Sequence, residues 1–241
     1  MADHIGIVAC SAEGAALCYR TLCIEGATLL GPHAHPEVSM HTHSLADYME
    51  RVYRDDWQGV GALMLLSANK LASIGADFLI CPDNTIHQAL RYVEPHSPLP
   101  WLHIAEVVAD AAVQRGYGRI GLLGTRWLVE SDVYPSKLAA RGLDYRRPNA
   151  DEREAINRII MDELVYGVFK SEGIAYHQNV IARMKDDGCD AVVLGCTEIP
   201  LIMGDANSPL PTLDSTRLLA RAALRRAVNG QGGASPAVPT R

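Results

Sequence analysis

Two segments of the chain repeat one pattern, and each carries a side chain that can handle a proton at the same point. The segment 77–87 (DFLICPDNTIH) aligns without a gap on 190–200 (DAVVLGCTEIP). Each begins with a short apolar run, which predicts a buried parallel strand, and then breaks into a loop. The junction of strand and loop is Asp83 in the first copy and Cys196 in the second. A carboxyl and a thiol both accept and donate protons, so this spacing indicates acid–base chemistry.

A second repeat accompanies the first. The apolar segments 5–9 (IGIVA) and 120–124 (IGLLG) are separated by nearly the same interval. We interpret the two repeats as a duplicated half-domain whose copies face each other across a cleft. Asp83 and Cys196 would then approach one substrate from opposite sides.

The composition of the chain excludes several classes of function. With 241 residues, 48% of them hydrophobic and 21% charged, the chain can form one large domain or two smaller ones with real cores. A net charge of -6 without a basic stripe predicts no nucleic-acid partner and no membrane-surface partner. No apolar run approaches the ~20 residues that a bilayer requires, and the segment 1–4 lacks the layout of a signal peptide. We therefore expect a cytoplasmic protein.

The six cysteines are scattered along the chain, without a Cys-x-x-Cys pair. This spacing predicts neither a disulfide framework nor a zinc site. Most of the cysteines are expected to be small buried hydrophobic side chains, including Cys81, which lies a strand step deeper than Asp83. Cys196 is the exception because of its place in the repeat.

Strand-like and helix-like segments alternate along the chain and predict an α/β fold. Their order indicates two pseudo-symmetric parallel-sheet halves, with helices on both faces of each sheet and the active site in the cleft between the halves. We expect residues 1–100 with 213–228 to form the N-terminal half and residues 101–212 the C-terminal half. The glycine- and proline-rich segment 229–241 is expected to be a flexible tail. A long helix is predicted over 151–170.

Polar residues at the carboxyl ends of the predicted strands are candidates for substrate binding, since ligands of open parallel sheets lie there. Asn84-Thr85 and Thr197-Glu198 are expected at helix N-termini, where backbone amides and the helix dipole favour a carboxylate. Ordinary N-capping is the simpler alternative for these polar side chains. The predicted substrate-binding residues are Ser11, Asn84, Thr85, Thr125, Thr197 and Glu198.

Four histidines in one segment raise the question of a metal site: His33, His35, His41 and His43. A spacing of two residues places each pair on one face of an extended segment. Because real sites bring three or four ligands, we expect no metal here. The segment is interpreted instead as a polar loop over the cleft, with one or two histidines near the substrate as part of a lid.

Motifs in the second half of the chain resemble those of known proteins. The segment 121–125 (GLLGT), followed by Glu130-Ser131-Asp132 and Tyr134, and the segment 194–199 (LGCTEI) carry the resemblance. They look like the second-half opening and the second cysteine motif of the aspartate/glutamate racemase family, and the similarity extends to about Val228. The resemblance implies two α/β halves, a small carboxylate substrate between them, no cofactor, and a homodimer. The family also includes hydantoin racemase, maleate isomerase and arylmalonate decarboxylase, so the fold does not determine the reaction.

One departure from the family concerns the first of its two catalytic thiols, which lie on opposite faces of the substrate α-carbon. The resemblance assigns the second thiol to Cys196, whereas Pro82-Asp83-Asn84-Thr85 stands where the family has Pro-Cys-Asn-Thr. Burial in a closed cleft is expected to raise the pKa of Asp83 and make it a better base. The predicted helix N-terminus beside Cys196 is expected to lower the pKa of its thiol. The pair would then transfer protons in both directions at unequal rates.

Three functions from different classes follow. The first, which we favour, is an amino-acid racemase or epimerase that acts on a small, aspartate- or glutamate-like carboxylate with Asp83 and Cys196 as its two bases. The second is a decarboxylase of the arylmalonate type, a lyase in which Cys196 alone moves protons. The third is a non-catalytic carboxylate-binding protein. Leu128-Val129 stands where related racemases carry threonine and methionine, which predicts a less polar substrate pocket.

Overall fold

Eight parallel strands form two four-stranded sheets in the computed structural model, which describes residues 2–230. The predicted tail therefore lies almost entirely outside the described residues. The strands of the first sheet are Ile5–Ala9 (β1), Val38–Thr42 (β2), Phe78–Ile80 (β3) and Trp101–Leu102 (β4). Those of the second sheet are Arg119–Leu123 (β5), Asp144–Arg146 (β6), Ala191–Leu194 (β7) and Thr212–Asp214 (β8).

The two sheets have the same internal order. The first runs β2-β1-β3-β4 and the second β6-β5-β7-β8, so each strand of one sheet has a counterpart four strands later in the other. The register agrees with this, since Ile7 lies beside both Met40 and Ile80, and Gly121 beside both Arg146 and Val192. The predicted fold class, two pseudo-symmetric parallel-sheet halves, is confirmed.

Burial explains why the repeated segments are apolar. Every residue of β1, β3 and β7 is buried, whereas the edge strands β2 and β6 are partly exposed. Parallel strands that are covered on both faces are continuously hydrophobic, because alternate side chains enter two different cores. In β1, Ile5 and Ile7 enter one core and Val8 enters another.

Helices cover both faces of each sheet. The helices of the first half of the chain are Ala12–Leu30 (α1), Leu45–Val52 (α2), Trp57–Ser73 (α3), Leu90–Val93 (α4) and Ile104–Gln114 (α5). Those of the second half are Arg126–Val129 (α6), Pro135–Ala139 (α7), Ala150–Asp162 (α8), Ser171–Asp186 (α9) and Ser215–Asn229 (α10). Within residues 2–230, none of these helices is both long and apolar enough to span a bilayer.

The last helix crosses back to the first sheet. Helix α10 follows β8 of the second sheet, but its buried residues Leu219 and Leu224 share a core with Ile5 and Ile7 of β1. Arg221 also forms hydrogen bonds with Glu25 of α1, at 2.7 and 2.8 Å. This packing supports our proposal that the closing helix belongs with the N-terminal half. The predicted boundaries are wrong by two residues each, since residues 101–102 form β4 of the first sheet and residues 213–214 end β8 of the second.

The predicted helix over 151–170 is wrong in its second part. A reciprocal capping box formed by Asn149 and Glu152 stabilises the N-terminus of helix α8. The helix nevertheless ends at Asp162. A short 3-10 turn, Leu164–Tyr166, follows and closes on Gly167, whose φ of 71° lies in the left-handed region. The chain is then redirected, and α9 begins at Ser171.

Candidate active site

A cavity lies at the carboxyl ends of the central strands and is lined by residues of both halves. Its empty volume is about 560 Å³, including the part that opens to solvent. The residues that follow β1, β3, β5 and β7 all reach it, which is where open parallel sheets bind ligands. All eight predicted site residues line this cavity: Ser11, Asp83, Asn84, Thr85, Thr125, Cys196, Thr197 and Glu198.

Two hydroxyl pairs join the halves at the cavity. Ser11 Oγ lies 2.9 Å from Thr197 Oγ1, and Thr85 Oγ1 lies 2.9 Å from Thr125 Oγ1. Ser11 and Thr125 are the N-caps of α1 and α6, where each accepts a hydrogen bond from a backbone amide of its own helix. Each half therefore contributes a capping hydroxyl to the loop of the other half, and N-capping and site formation are combined in the same residues.

The side chain of Asn84 is held by other protein groups. Its Nδ2 donates to Ser215 Oγ at 3.0 Å, and its Oδ1 accepts from Tyr134 Oη at 2.7 Å. Ser215 in turn donates to the carbonyl of Leu194 at the end of β7. Both ends of the amide are thus engaged in fixing the loop after β3 to the second half.

Asp83 is held as a base of intermediate strength. Burial of its carboxyl group raises the pKa of Asp83 to about 6, and the negative charge of Glu198 acts in the same direction. Hydrogen bonds from the amides of Ile86 and Thr85 and from the Cys10 thiol oppose the rise. The bond from Ile86 is 3.1 Å long. The expected upward shift of this pKa is confirmed, and near neutral pH the group is mainly a carboxylate.

The surroundings of Cys196 keep its thiol protonated, against our expectation. Its Sγ lies 3.0 Å from Glu198 Oε2, which also accepts a hydrogen bond of 2.7 Å from Thr197 Oγ1. Burial and the Glu198 carboxylate raise the pKa of the Cys196 thiol well above its ordinary value. The predicted lowering is wrong because the thiol is buried and because an acid two residues further on reaches back to it.

The predicted helix N-termini in these two loops are 3-10 helices. Thr85–Ala89 continues directly into α4, whereas Ile199–Leu201 is a single turn, and the cap residues Asn84 and Glu198 form no side-chain cap hydrogen bond. The single turn has little dipole to offer an anion. The backbone amides of Asn84 and Thr197 nevertheless donate to no backbone acceptor within residues 2–230, and both residues line the cavity.

Cys10 is a cavity residue that the sequence reasoning missed. It follows β1 directly, is buried, and lines the cavity beside Asp83. Burial and the negative charge of Asp83 raise the pKa of the Cys10 thiol, which keeps it protonated. Its place at the carboxyl end of a central strand was the signal that could have identified it. Cys81, by contrast, is fully buried in the core, with its Sγ 3.7 Å from the Asp83 carbonyl.

The remaining wall of the cavity is apolar and comes from segments that the sequence reasoning did not connect with the site. Leu128 and Val129, which were expected there, are buried in the core of the second half. The preceding residue, Trp127, lines the cavity in their place. The apolar lining residues are Leu45, Tyr48, Met49, Val52, Ile86, Trp127, Ile160, Met161 and Val165.

The histidine segment does not reach the cavity, so the expected contact of these side chains with a substrate is wrong. His41 Nδ1 lies 2.9 Å from Ser67 Oγ, and Lys70 Nζ lies 2.8 Å from His41 Nε2. None of the four histidines is among the lining residues; helix α2, which follows them, lines the cavity. In the part of the chain that the structure describes, no three His, Cys, Asp or Glu residues are grouped so that they could hold a metal ion.

Comparison with known proteins agrees with this architecture. A structure from Yersinia pestis named for the Asp/Glu racemases superimposes with a TM-score of 0.86 at 29% identity, covering 94% of this chain and 99% of that one. An aspartate racemase homologue from Pyrococcus horikoshii OT3 gives a TM-score of 0.80 at 26% identity, again covering 94% and 99%. The broad specificity amino-acid racemase RacX of Bacillus subtilis is 22% identical over 157 residues, which are 64% of this chain and 66% of that protein. The family model for Asp/Glu/Hydantoin racemase matches residues 8–223, and the chain belongs to this family.

Proposed function

We propose that the protein is a cofactor-independent amino-acid racemase or epimerase in which Asp83 and Cys196 are the two bases. One observation carries the proposal. The two side chains occupy matched positions after β3 and β7, line one cavity, and are held in opposite protonation states near neutral pH. A racemase that uses two bases requires such a pair, because one group must remove a proton while the other delivers one.

The reaction begins with the substrate carboxylate at the free amides of Asn84 and Thr197. The Asp83 carboxylate removes the α-proton, and the electron pair of the broken C–H bond moves into the substrate carboxylate to give an enediolate. The amide donors stabilise the charge that develops on its oxygens. The Cys196 thiol then donates its proton to the opposite face of the carbon, which completes the inversion and leaves a thiolate.

The reverse direction uses the same groups in exchanged roles. Cys196 must then act as a thiolate beside the Glu198 carboxylate, an arrangement that like charges disfavour. Asp83 must supply the proton, which it does less well above its pKa of about 6. The environment of the pair therefore supports unequal rates for the two enantiomers.

A lyase is the second candidate, because only one of the two matched positions carries a thiol. In that reaction a substrate loses carbon dioxide, and the protonated Cys196 delivers a proton to the planar carbanion that remains. A non-catalytic carboxylate-binding protein would retain the cavity without either chemistry.

Incubation of candidate acids with the protein in heavy water distinguishes the three functions. A racemase incorporates deuterium at the α-carbon and removes optical rotation, a decarboxylase releases carbon dioxide, and a binding protein does neither. Cys196→Ser is expected to slow inversion by about 10²–10⁴-fold, whereas Cys23→Ser, which alters a thiol of α1 outside the cavity, is expected to leave it unchanged. Full turnover in Cys196→Ser would contradict the role of that thiol.

Two further properties remain predictions. We propose a cytoplasmic location from the sequence, and a homodimer from the resemblance to the family. Measurement of the molar mass in solution by light scattering tests the second.

A further inference from the structure

We propose that the cavity selects an amino acid with one carboxylate, one ammonium group and an apolar side chain, and that it rejects dicarboxylates. This inference rests on the proposed racemase function and narrows it. It also replaces the acidic side chain that was expected from the sequence. Three features of the cavity carry it: the sign of its charges, the chemistry of its wall, and the place of its free amide donors.

The charged residues that line the cavity are all acidic. Asp83 and Glu198 are the ionisable carboxyls, and none of the described lining residues is lysine, arginine or histidine. A second substrate carboxylate would therefore meet two negative groups and no neutralising cation. Like charges placed together in a site are strongly unfavourable, and a binding site for a dicarboxylate ordinarily supplies a basic side chain.

The exposed Arg126 is a nearby cation that does not line the cavity. Its guanidinium lies over the ring of Trp127, 4.7 Å from the ring centroid. Trp127 also packs against Tyr53, the residue that follows α2, with the ring centroids 5.5 Å apart. The guanidinium, which itself does not line the cavity, is therefore engaged by the ring of a lining residue through cation–π attraction.

The apolar wall of the cavity suits an alkyl or aromatic group. Leu45, Met49 and Val52 of α2 face the cavity from the first half, and Ile160 and Met161 of α8 face it from the second. Transfer of each methylene from water to such a wall strengthens binding by about fourfold. The site thus favours an apolar side chain, and none of its described lining residues offers a cation to a negatively charged one.

The same acids are complementary to the ammonium group of an amino acid. A zwitterion brings one negative charge, which the amides of Asn84 and Thr197 can bind, and one positive charge, which Asp83 and Glu198 can balance. A malonate brings two negative charges and no positive one. The charges of the cavity therefore favour an amino acid over the substrate of an arylmalonate-type lyase.

The test is α-hydrogen exchange in heavy water, followed by proton NMR, on a panel of single compounds. The panel contains alanine, 2-aminobutyrate, norvaline, leucine and phenylalanine, with aspartate, glutamate, phenylmalonate and a 5-alkylhydantoin as comparisons. We expect kcat/KM to rise about fourfold per methylene from alanine to norvaline. Aspartate and glutamate are expected to be at least ~100-fold slower than leucine.

The outcomes separate this inference from the function on which it rests. Exchange of aspartate or glutamate as fast as leucine would overturn the selectivity and leave the racemase intact. Exchange of the hydantoin alone would replace the amino acid by an uncharged cyclic substrate and overturn the inference. No exchange of any compound would contradict the racemase itself.

Two variants locate the origin of the selectivity. Met161→Lys adds a cation to the apolar wall and is expected to raise the ratio of aspartate to leucine exchange by at least tenfold. Met161→Leu, its matched control, keeps the wall apolar and is expected to keep the order of preference. If the wild-type protein prefers aspartate and Arg126→Gln removes that preference, the exposed guanidinium selects the substrate and the inference is wrong.

Discussion

The loop after β3 and the loop after β7 occupy equivalent places in the two halves, yet they give their central side chains opposite properties. Asp83 is surrounded by hydrogen-bond donors, which limit the rise of its pKa to about 6. Cys196 lies against the Glu198 carboxylate, which adds to the effect of burial and raises the pKa of the thiol well above its ordinary value. A symmetric fold therefore sets the position of the two groups, while their neighbours set the protonation states.

This difference matters because two-base chemistry needs one proton acceptor and one proton donor at the start of each turnover. If the two groups were identical, their surroundings would favour neither of them as the proton acceptor or as the proton donor. Here the donors around Asp83 and the acid beside Cys196 prepare it in advance. Substitutions in the loop after β3 and in the loop after β7 should therefore have different effects.

Loss of the Cys196 thiol, the proton donor, is expected to have the largest effect. Cys196→Ser keeps a side chain of similar size, but a hydroxyl is a much weaker acid than a thiol. We expect the rate of inversion to fall by about 10²–10⁴-fold. Polarimetry with each enantiomer measures it, and Cys23→Ser serves as the control. An inversion rate within a few-fold of the wild type would show that another group donates the proton.

Acid pH is expected to inactivate Asp83, the base in the loop after β3. Asp83 must be ionised to accept the α-proton, so the inversion of the enantiomer that it deprotonates should fall as the pH drops through about 6. The loss should approach tenfold per pH unit below that value. Asp83→Cys is expected to move the acidic limb of the pH–rate profile towards the ordinary thiol pKa of ~8.5. If the acidic limb stays in place in Asp83→Cys, the ionisation of a group other than residue 83 determines it.

Removal of the Glu198 carboxylate beside Cys196 should make the central side chains of the two loops more alike in how readily they lose a proton. In Glu198→Gln the negative charge that raises the pKa of Cys196 is lost, and the thiolate fraction at a given pH increases. We expect alkylation of Cys196 by iodoacetamide at pH 8 to accelerate by about tenfold. Mass spectrometry of the peptide that contains Cys196 measures it, and Glu172→Gln on the exposed surface of α9 is the control. An unchanged alkylation rate would mean that burial alone determines the pKa.

The smallest effect concerns stability. Folding raises the pKa of Asp83 from 3.8 to about 6, so the folded protein binds the proton more tightly than the unfolded chain. The stability of the native state therefore falls as the pH rises from about 4 to 6 and stays reduced above that range. Asp83→Asn removes this cost and is expected to add about 1–3 kcal/mol to the free energy of unfolding at pH 8 and little at pH 4. Urea unfolding at both pH values tests the difference; an equal change at the two would exclude ionisation as the cause.

The fold was accessible from the sequence because its central strands are covered on both faces. Such strands are continuous apolar runs, and their repetition at a fixed interval in 5–9 and 120–124 revealed the duplication. The positions of the site residues followed from the rule that ligands lie at the carboxyl ends of parallel strands. The same rule applied to β1 would have included Cys10.

The properties of the site residues were less accessible, because they depend on contacts that local patterns do not encode. Glu198 was predicted as a residue that binds substrate, and its hydrogen bond from Cys196 became visible only in three dimensions. The apolar wall combines α2 and α8, which are far apart in the sequence. The error in α8 has a local cause, since the backbone leaves the helical conformation at Glu163, and Gly167 in the left-handed region then ends the 3-10 turn that follows.

The most direct test of the two-base mechanism is α-hydrogen exchange measured for each pure enantiomer in Asp83→Asn and in Cys196→Ser. If the groups lie on opposite faces, each variant retains exchange of the enantiomer whose proton faces the remaining base and loses exchange of the other. We predict that the two variants lose opposite enantiomers. Loss of the same enantiomer in both, or full exchange of both enantiomers in Asp83→Asn, would contradict the assignment of Asp83 and Cys196 as the two bases.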